Sequence, residues 1–231
     1  MCPRARRHPA PPRNPLPSQE LYDDANGIPA ISTQYRYGYG MPVGGRKDGA
    51  LYFSYEVGPA HIISLCSFIA GGFGPSAPIS KWLAADLAAV DRTKTPWLFV
   101  VVHAPMYNSN TAHQGEGEPL RVAYEAQFAA AKVSAIFAGH VHAYERSHPV
   151  VNNGKVMPDG QGIVYLNIGD AGAGLYTSWE KTPAWSAFHS AVFGHGQLRI
   201  VNSSAALWTW HRNQDDEKIV TDSTTIVNWG F

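Results

Sequence analysis

Two apolar runs, each followed directly by a short histidine-containing segment, constrain the fold of this sequence more than any other feature. The first is Trp97–Val102, which is followed by His103, and the second is residues 133–138, which are followed by Gly139-His140. Runs of this kind suit strands that are buried on both faces of a sheet. The alanine-rich residues 120–131 between them are typical of a helix. The order strand, helix, strand predicts parallel pairing with a right-handed crossover, so both strands should end at the same edge of one sheet.

Beyond this unit the sequence predicts further elements of secondary structure. Residues 51–57 and 61–66 are predicted as two strands that a Gly-Pro pair joins into a hairpin. Residues 79–90 place apolar side chains on one face of a helix, with Ser80 as the predicted N-cap. Shorter strands between glycine and asparagine turns are predicted at 162–168, 196–201 and 205–211. The sequence therefore predicts a layered α/β fold in which sheet outweighs helix.

The N-terminal residues 1–27 differ in composition from the remainder of the chain. They are rich in arginine and have prolines at positions 3, 9, 11, 12, 15 and 17. With few large apolar side chains, such a segment cannot bury enough surface to offset the entropy lost on ordering. We therefore predict a disordered tail over residues 1–27 and one domain over residues 28–231. The tail has no apolar h-region, so we do not expect it to be a secretory signal peptide.

Charge and hydropathy exclude two classes of partner. The 18 basic residues balance the 18 acidic ones, so no net charge attracts a nucleic acid. No stretch of the sequence has the length and apolarity of a membrane span. We therefore expect neither a nucleic acid nor a membrane as a partner.

Three histidines at the ends of the two buried strands predict a metal site. His140 and His142 are two positions apart, and in extended backbone such side chains point the same way. His103 follows the neighbouring strand, and open α/β sheets bind ligands beyond the carboxyl ends of their strands. Neutral imidazole is the commonest metal ligand in proteins. Taken singly, His103 is more typical of a surface or capping position than of a metal ligand, and the His-x-His pair is as typical of an exposed turn as of a metal site. The common location of all three histidines favours a metal site.

These histidines lie in two segments that resemble motifs of the plant and fungal purple acid phosphatases. Residues 100–109, VVVHAPMYNS, resemble the VxxH motif, and residues 139–146, GHVHAYER, resemble the GHxH motif. The likeness covers most of residues 28–231. It implies a metallophosphoesterase fold with two β-sheets packed face to face between helices. Of this four-layer α/β/β/α sandwich, the chain would lack the N-terminal βαβ half.

The resemblance also implies the chemistry of the site. Members of this family hydrolyse phosphate monoesters at a binuclear centre of Fe(III) and a divalent zinc, iron or manganese ion. By resemblance, His103 and His140 would bind the divalent ion and His142 the ferric ion. Members are usually secreted, vacuolar or lysosomal, and the glycosylation sequon at Asn202 would matter in such a location. The resemblance is also compatible with a homodimer.

Further positions take their expected roles from the same resemblance. His113 would be the catalytic and substrate-binding imidazole, although Ala112 stands where some members carry a second histidine. Tyr144, Arg146 and Asn108 would fix the loops around the metal ligands.

The motifs that supply the other ligands of the family, DxG, GDxxY and GNH, are not found N-terminal to His103. Three neutral imidazoles offer no negative charge to Fe(III), so we expect this chain alone not to bind both ions. Whether it acts as an enzyme by itself therefore stays open. Three functions compete: an acid phosphatase whose sequence here is incomplete, a non-catalytic protein that binds at most one metal ion, and a metal-free interaction module.

Overall fold

The computed structural model describes residues 21–23, 29–31, 51–69, 71–216 and 218–230. Most of the predicted disordered tail therefore lies outside the described residues. Two helices lie within them, α1 at Pro78–Ala89 and α2 at Glu118–Ala130, and neither is long and apolar enough to cross a membrane. The strands, numbered in chain order, are β1 Leu21–Asp23, β2 Pro29–Ile31, β3 Tyr52–Val57, β4 Ala60–Leu65, β5 Trp97–Val102, β6 Ala135–Ala138, β7 Tyr144–Ser147, β8 Val150–Val151, β9 Lys155–Val156, β10 Val164–Ile168, β11 Ser186–Ser190, β12 Gly194–Ile200, β13 Ala205–Arg212 and β14 Asp222–Val227.

A seven-stranded sheet in the order β11–β7–β10–β6–β5–β4–β3 positions the candidate site. Its centre is parallel, because β4 pairs with β5, β5 with β6 and β6 with β10 in the same direction. This confirms the predicted strand–helix–strand unit, in which α2 connects β5 to β6. The predicted hairpin is present as the antiparallel pair of β3 and β4. The carboxyl ends of the parallel strands therefore meet at one edge of the sheet.

The two helices cover one face of this sheet and form the first hydrophobic core with it. Ile63, Val100 and Ile136 point into this core from three neighbouring strands and are at most 1% exposed. Leu83 from α1 and Phe128 from α2 belong to the same core and are fully buried. Because side chains alternate along a strand, the intervening residues of β5 point to the opposite face.

The predicted N-cap of α1 is wrong. Ala77 occupies the N-cap position, and Pro78 begins the helix because proline needs no hydrogen bond for its nitrogen there. Ser80 lies inside the first turn, where its hydroxyl donates to the Phe73 carbonyl at 3.1 Å. The same hydroxyl lies 2.6 Å from the hydroxyl of Tyr124 and so links α1 to α2.

A three-stranded sheet, β12–β13–β14, packs against the other face of the seven-stranded sheet. Trp97 and Phe99 from β5 meet Trp208 and Ile226 in this second core. Burial of one such large side chain contributes about 2–3 kcal/mol relative to leaving it in water. The indole N–H of Trp97 also donates to the Asn202 carbonyl at 2.8 Å, which ties the turn before β13 to the large sheet.

The described residues thus form three layers, which are the helices, the seven-stranded sheet and the three-stranded sheet. This confirms the predicted mixed fold with two sheets packed face to face. The second helical layer of the predicted sandwich is not represented among the described residues.

A buried carboxylate joins the two sheets. Asp222, at the start of β14, accepts two N–H groups from Arg146 on β7, each at 2.7 Å. It also accepts the Tyr144 hydroxyl at 2.6 Å, and that hydroxyl accepts the indole N–H of Trp208 at 2.8 Å. The ring of Tyr144 stacks on Trp210 with centroids 4.5 Å apart. Tyr144 and Arg146 therefore fix β7 to the second sheet.

Replacing Asp222 by alanine should lower the free energy of unfolding at pH 7 by about 3–5 kcal/mol, because Arg146 would remain charged and unpaired in a buried position. Burial alone would raise the pKa of Asp222, but hydrogen bonds from Arg146 and Tyr144 outweigh it and lower the pKa. Such a carboxylate stabilises the fold fully above the pKa of the unfolded group, about 3.9, and loses this effect as the pH falls through the folded pKa.

Urea unfolding of the wild-type chain and of Asp222→Ala between pH 7 and pH 2 checks this prediction. The difference in stability between the two proteins should shrink towards pH 2. A difference of constant size across this range would contradict the assigned role of the carboxylate.

Candidate metal and phosphate site

The carboxyl ends of β4, β5 and β6 place three loops side by side. Ser67 follows β4. Its hydroxyl oxygen accepts hydrogen bonds from the backbone N–H groups of His103, at 2.9 Å, and of Ala104, at 2.8 Å. The carbonyl of His103 in turn accepts the N–H groups of Gly139 at 3.0 Å and His140 at 2.9 Å. These bonds fix the backbone that carries His103 and His140.

His140 lies at the centre of a group of imidazole rings. Its Nδ1 is 2.9 Å from Nε2 of His103. The ring centroid of His113 lies 4.0 Å from that of His140. Phe68 packs edge-on against the rings of His103 and His140, with centroid distances of 6.0 and 5.4 Å. The term histidine group is used below for these three imidazoles, His103, His113 and His140, together with the carboxylate of Glu116.

Glu116 joins two of these rings through one carboxylate. Its Oε2 accepts from Nε2 of His140 at 2.7 Å, and its Oε1 accepts from Nδ1 of His113 at 2.8 Å. Because a carboxylate only accepts, both of these ring nitrogens carry a proton. When these rings are neutral, their other nitrogens act as hydrogen-bond acceptors. Nδ1 of His140 then accepts from Nε2 of His103, and Nε2 of His113 accepts from the Tyr176 hydroxyl at 3.2 Å.

The carboxylate of Glu116 keeps its charge in this position. Burial would raise its pKa, but the hydrogen bonds from His113 and His140 outweigh burial and lower the pKa. Near neutral pH Glu116 therefore contributes one negative charge to the histidine group.

Asparagine side chains hold the loop that carries His113. Asn108 donates to the Ala112 carbonyl at 2.7 Å and accepts the N–H of Asn110 at 2.9 Å. Asn110 accepts the N–H of Ala112 at 2.9 Å and donates to the Tyr176 carbonyl at 2.8 Å. His113 itself has a φ of 56°, in the left-handed region that residues other than glycine rarely adopt. Asn108 therefore acts on the backbone that orients His113.

The contacts of His142 differ from those of His140. The expectation that the two rings point the same way requires extended backbone, but residues 139–143 lie outside any strand. Nδ1 of His142 lies 2.9 Å from the Gly174 carbonyl, and its ring stacks on Tyr176 with centroids 4.8 Å apart. Since the Tyr176 hydroxyl reaches His113, Tyr176 joins His142 to the histidine group.

Strand β10 and the turn after it support the loop of residues 139–143. The buried amide of Asn167 donates both of its N–H groups, to the Val141 carbonyl at 2.8 Å and to the Ala143 carbonyl at 2.7 Å. A Cβ atom at Gly169 would lie 2.1 Å from the Val141 carbonyl oxygen. Glycine at this position therefore permits the close approach of the two backbones.

Three residues of the site are not predicted from the sequence. Glu116 follows His113 by three positions, and an acidic residue at this spacing from a loop histidine is the signal that could have found it. Tyr176 lies 63 positions from His113, and Asn167 lies 26 positions from Val141. Contacts at such separations leave no local pattern, so only the fold reveals them.

The chemistry of these donors fits one divalent ion. A hydrogen bond of 2.9 Å joins Nδ1 of His140 and Nε2 of His103, so a divalent ion that replaces its proton would find two imidazole nitrogens side by side, and imidazole suits zinc and iron alike. The carboxylate of Glu116 accepts the N–H of the other ring nitrogen of His140, as an outer carboxylate usually does for a metal-bound histidine. A ferric ion favours several anionic oxygen ligands, whereas Glu116 is the carboxylate that the structure places against these rings.

Comparison of the sequence with known proteins relates the chain to a family. The sequence profile described as "Calcineurin-like phosphoesterase" matches residues 16–144, more than half of the 231 residues. A second profile, described as "Iron/zinc purple acid phosphatase-like protein C", matches residues 162–223.

Two curated relatives from Arabidopsis thaliana are similar to this chain over most of its length. "Purple acid phosphatase 18" is 47% identical over 190 residues, which cover 80% of this chain and 42% of the relative. "Fe(3+)-Zn(2+) purple acid phosphatase 12" is 43% identical over 189 residues, which cover 77% of this chain and 40% of the relative. The chain thus spans about two fifths of the length of these relatives.

A solved structure shows the same fold. The purple acid phosphatase PPD1 from yellow lupin seeds superposes with a TM-score of 0.71 at 24% sequence identity. The match covers 82% of this chain and 34% of the lupin chain.

Proposed function

The chain belongs to the purple acid phosphatases of the calcineurin-like phosphoesterase family, and on this premise we propose that it supplies the divalent-ion and phosphate-binding part of a phosphate monoester hydrolase. The observation that carries the proposal is the contact of His140 with both His103 and Glu116. These side chains follow the parallel strands at the edge where α/β sheets bind ligands.

In this proposal His103 and His140 hold a divalent zinc, iron or manganese ion through the two nitrogens that face each other. Such an ion, when bound, polarises a phosphate oxygen and lowers the pKa of water. Glu116 orients His140 by accepting its other N–H group. The name of one relative, Fe(3+)-Zn(2+) purple acid phosphatase 12, supports zinc as the divalent ion and iron as its neighbour.

His113 is the residue proposed to meet the phosphate. Its Nδ1–H is held by Glu116, which leaves Nε2 and the adjoining Tyr176 hydroxyl to exchange a proton with a phosphate ester. The support of its loop by Asn108 keeps the ring in this place.

His142 is proposed as a ligand of the ferric ion, in the role that the family resemblance gives it. The ring of His142 contacts Gly174 and Tyr176, whereas His140 contacts His103 and Glu116 directly, which favours the binding of one ion rather than two by this chain alone. This difference also supports the second candidate function, a non-catalytic chain that binds a single divalent ion.

A secreted, vacuolar or lysosomal location belongs to the same proposal. Asn202 of the sequon is exposed in the turn before β13, where its Oδ1 accepts the N–H of Ser204 at 2.9 Å. An exposed asparagine in a turn suits glycan attachment.

Inorganic phosphate should bind the zinc-loaded chain, and His113→Ala should weaken this binding about tenfold or more, because a hydrogen bond to a charged group is lost. Calorimetric titration with phosphate at saturating zinc measures the effect. His195→Ala, at an exposed position on β12, is the control and should bind phosphate as the wild type does. Phosphate binding that does not depend on zinc, or that His113→Ala leaves unchanged, would refute the proposed function.

A further inference from the structure

An apolar groove opens beside the histidine group, between the loop after β4 and the first turns of α2. Its volume of about 790 Å³ lies in the range of small-molecule sites. The apolar part of its lining includes Phe68, Phe73, Pro75, Pro119 and Val122.

Two residues make this groove continuous with the histidine group. Phe68 lines the groove and packs edge-on against His140 with centroids 5.4 Å apart. Glu116 lines the groove and accepts hydrogen bonds from His113 and His140. A ligand whose phosphate lies at the histidines therefore has the groove as the adjoining space for its organic portion.

The groove has a preformed wall. Phe73 packs edge-on against Tyr124 of α2 with centroids 5.7 Å apart, and its carbonyl accepts the hydroxyl of Ser80 at 3.1 Å. These contacts hold the loop after β4 against both helices. The groove can therefore accept a ligand without first ordering its wall.

The acidic side chains of the lining are already engaged with neighbouring groups. Glu118 accepts the Nε–H of Arg121 at 2.7 Å, and Glu116 is bound by the two imidazoles. What the groove offers a ligand is therefore mainly apolar surface. Val122 on its rim is 72% exposed, which leaves a branched apolar side chain open to contact.

We infer that this groove binds the apolar alcohol portion of a phosphate monoester, so that aryl and other large apolar phosphate esters are the substrates the site prefers. The inference rests on the proposed function, since it takes the phosphate to lie at the histidine group. Burial of an aromatic ring in the groove would remove its apolar surface from water, which is the source of the preference.

Two phosphonates that cannot be hydrolysed test the groove on the zinc-loaded full chain. Calorimetry should show that 1-naphthylmethylphosphonate binds about 10- to 100-fold more tightly than methylphosphonate. Val122→Asp should abolish this preference and leave the affinity for methylphosphonate unchanged. Ala126→Asp adds the same charge at an exposed position one turn further along α2, outside the groove, and should keep the preference.

Equal affinity for the two phosphonates in the wild type, or an undiminished preference in Val122→Asp, would overturn the inference. If neither phosphonate binds, the proposed function fails, and 1-naphthol then tests the groove without a phosphate. Shifts of the Phe68 and Val122 amide signals in NMR spectra with 1-naphthol would support the groove as an aromatic site. Unchanged signals at both residues would reject it.

Discussion

Replacing His140 by alanine should weaken zinc binding by at least about 100-fold, since even an outer partner of a metal ligand is worth 10- to 100-fold in affinity. His140 is the ring that contacts His103, lies against His113 and is oriented by Glu116. The substitution removes Nδ1 of His140, one of the two proposed ligands of the ion, and leaves Nε2 of His103 as the other.

Competition of the chain with a chromophoric zinc chelator measures this loss. The exposed His195, which bonds to Asn213, provides the control, and His195→Ala should bind zinc as the wild type does. Circular dichroism of both variants should match the wild type, because the His140 side chain is partly exposed and no large core group is removed. An affinity within threefold of the wild type in His140→Ala would show that zinc binds somewhere else.

Replacing Gly169 by alanine should lower the free energy of unfolding by about 3 kcal/mol, the upper end of the usual cost of overpacking, because the added Cβ would meet backbone atoms rather than a flexible side chain. The added Cβ would lie 2.1 Å from the Val141 carbonyl oxygen and 2.2 Å from that of Gly139. Relief of this contact requires the 139–143 loop to move, and this loop carries His140. Zinc affinity should therefore fall together with stability.

Gly172→Ala is the matched control, because a Cβ there would meet nothing within 4 Å and its backbone has no positive φ. Urea unfolding and zinc titration of both variants separate a local clash from a general intolerance of alanine in this turn. Equal stability of Gly169→Ala and the wild type would show that the two backbones are free to separate.

The parallel core of the fold could be predicted because its signals are local in the sequence. A buried parallel strand requires a continuous apolar run, and Trp97–Val102 is such a run, so the predicted bounds of β5 agree with the observed ones. The crossover through α2 then follows from the order of elements. The predicted N-cap of α1 is wrong because serine is typical of a cap in the sequence, whereas the hydroxyl of Ser80 contacts the Phe73 carbonyl and Tyr124 of α2.

Only those residues of the candidate site that directly follow a strand could be predicted from the sequence, because the end of the strand determines their position. His103 and His140 follow adjacent parallel strands, and their rings are in contact. The direction of His142 depends on how residues 139–143 turn, which Asn167 and Gly169 set from a distant strand and its following turn. Likewise the place of Glu116 depends on the loop that Asn108 closes, and no periodic pattern encodes that loop.

The groove links the fold to the choice of substrate. It exists because the loop after β4 folds back on α1 and α2 through Phe73, while the neighbouring Phe68 faces the imidazoles. The same loop supplies Ser67, which holds the backbone at His103. One segment therefore supports both the proposed metal ligand and the proposed wall for the organic group of the ester.

The central claim is that the facing nitrogens of His103 and His140 are two ligands of one divalent ion. A crystal of the full chain soaked in zinc, with data collected on both sides of the zinc absorption edge, tests it most directly. We predict an anomalous peak about 2.0–2.1 Å from both His140 Nδ1 and His103 Nε2. A peak found only at other histidines, such as His195 and His211, or no peak while the two rings keep their 2.9 Å contact, would contradict the claim.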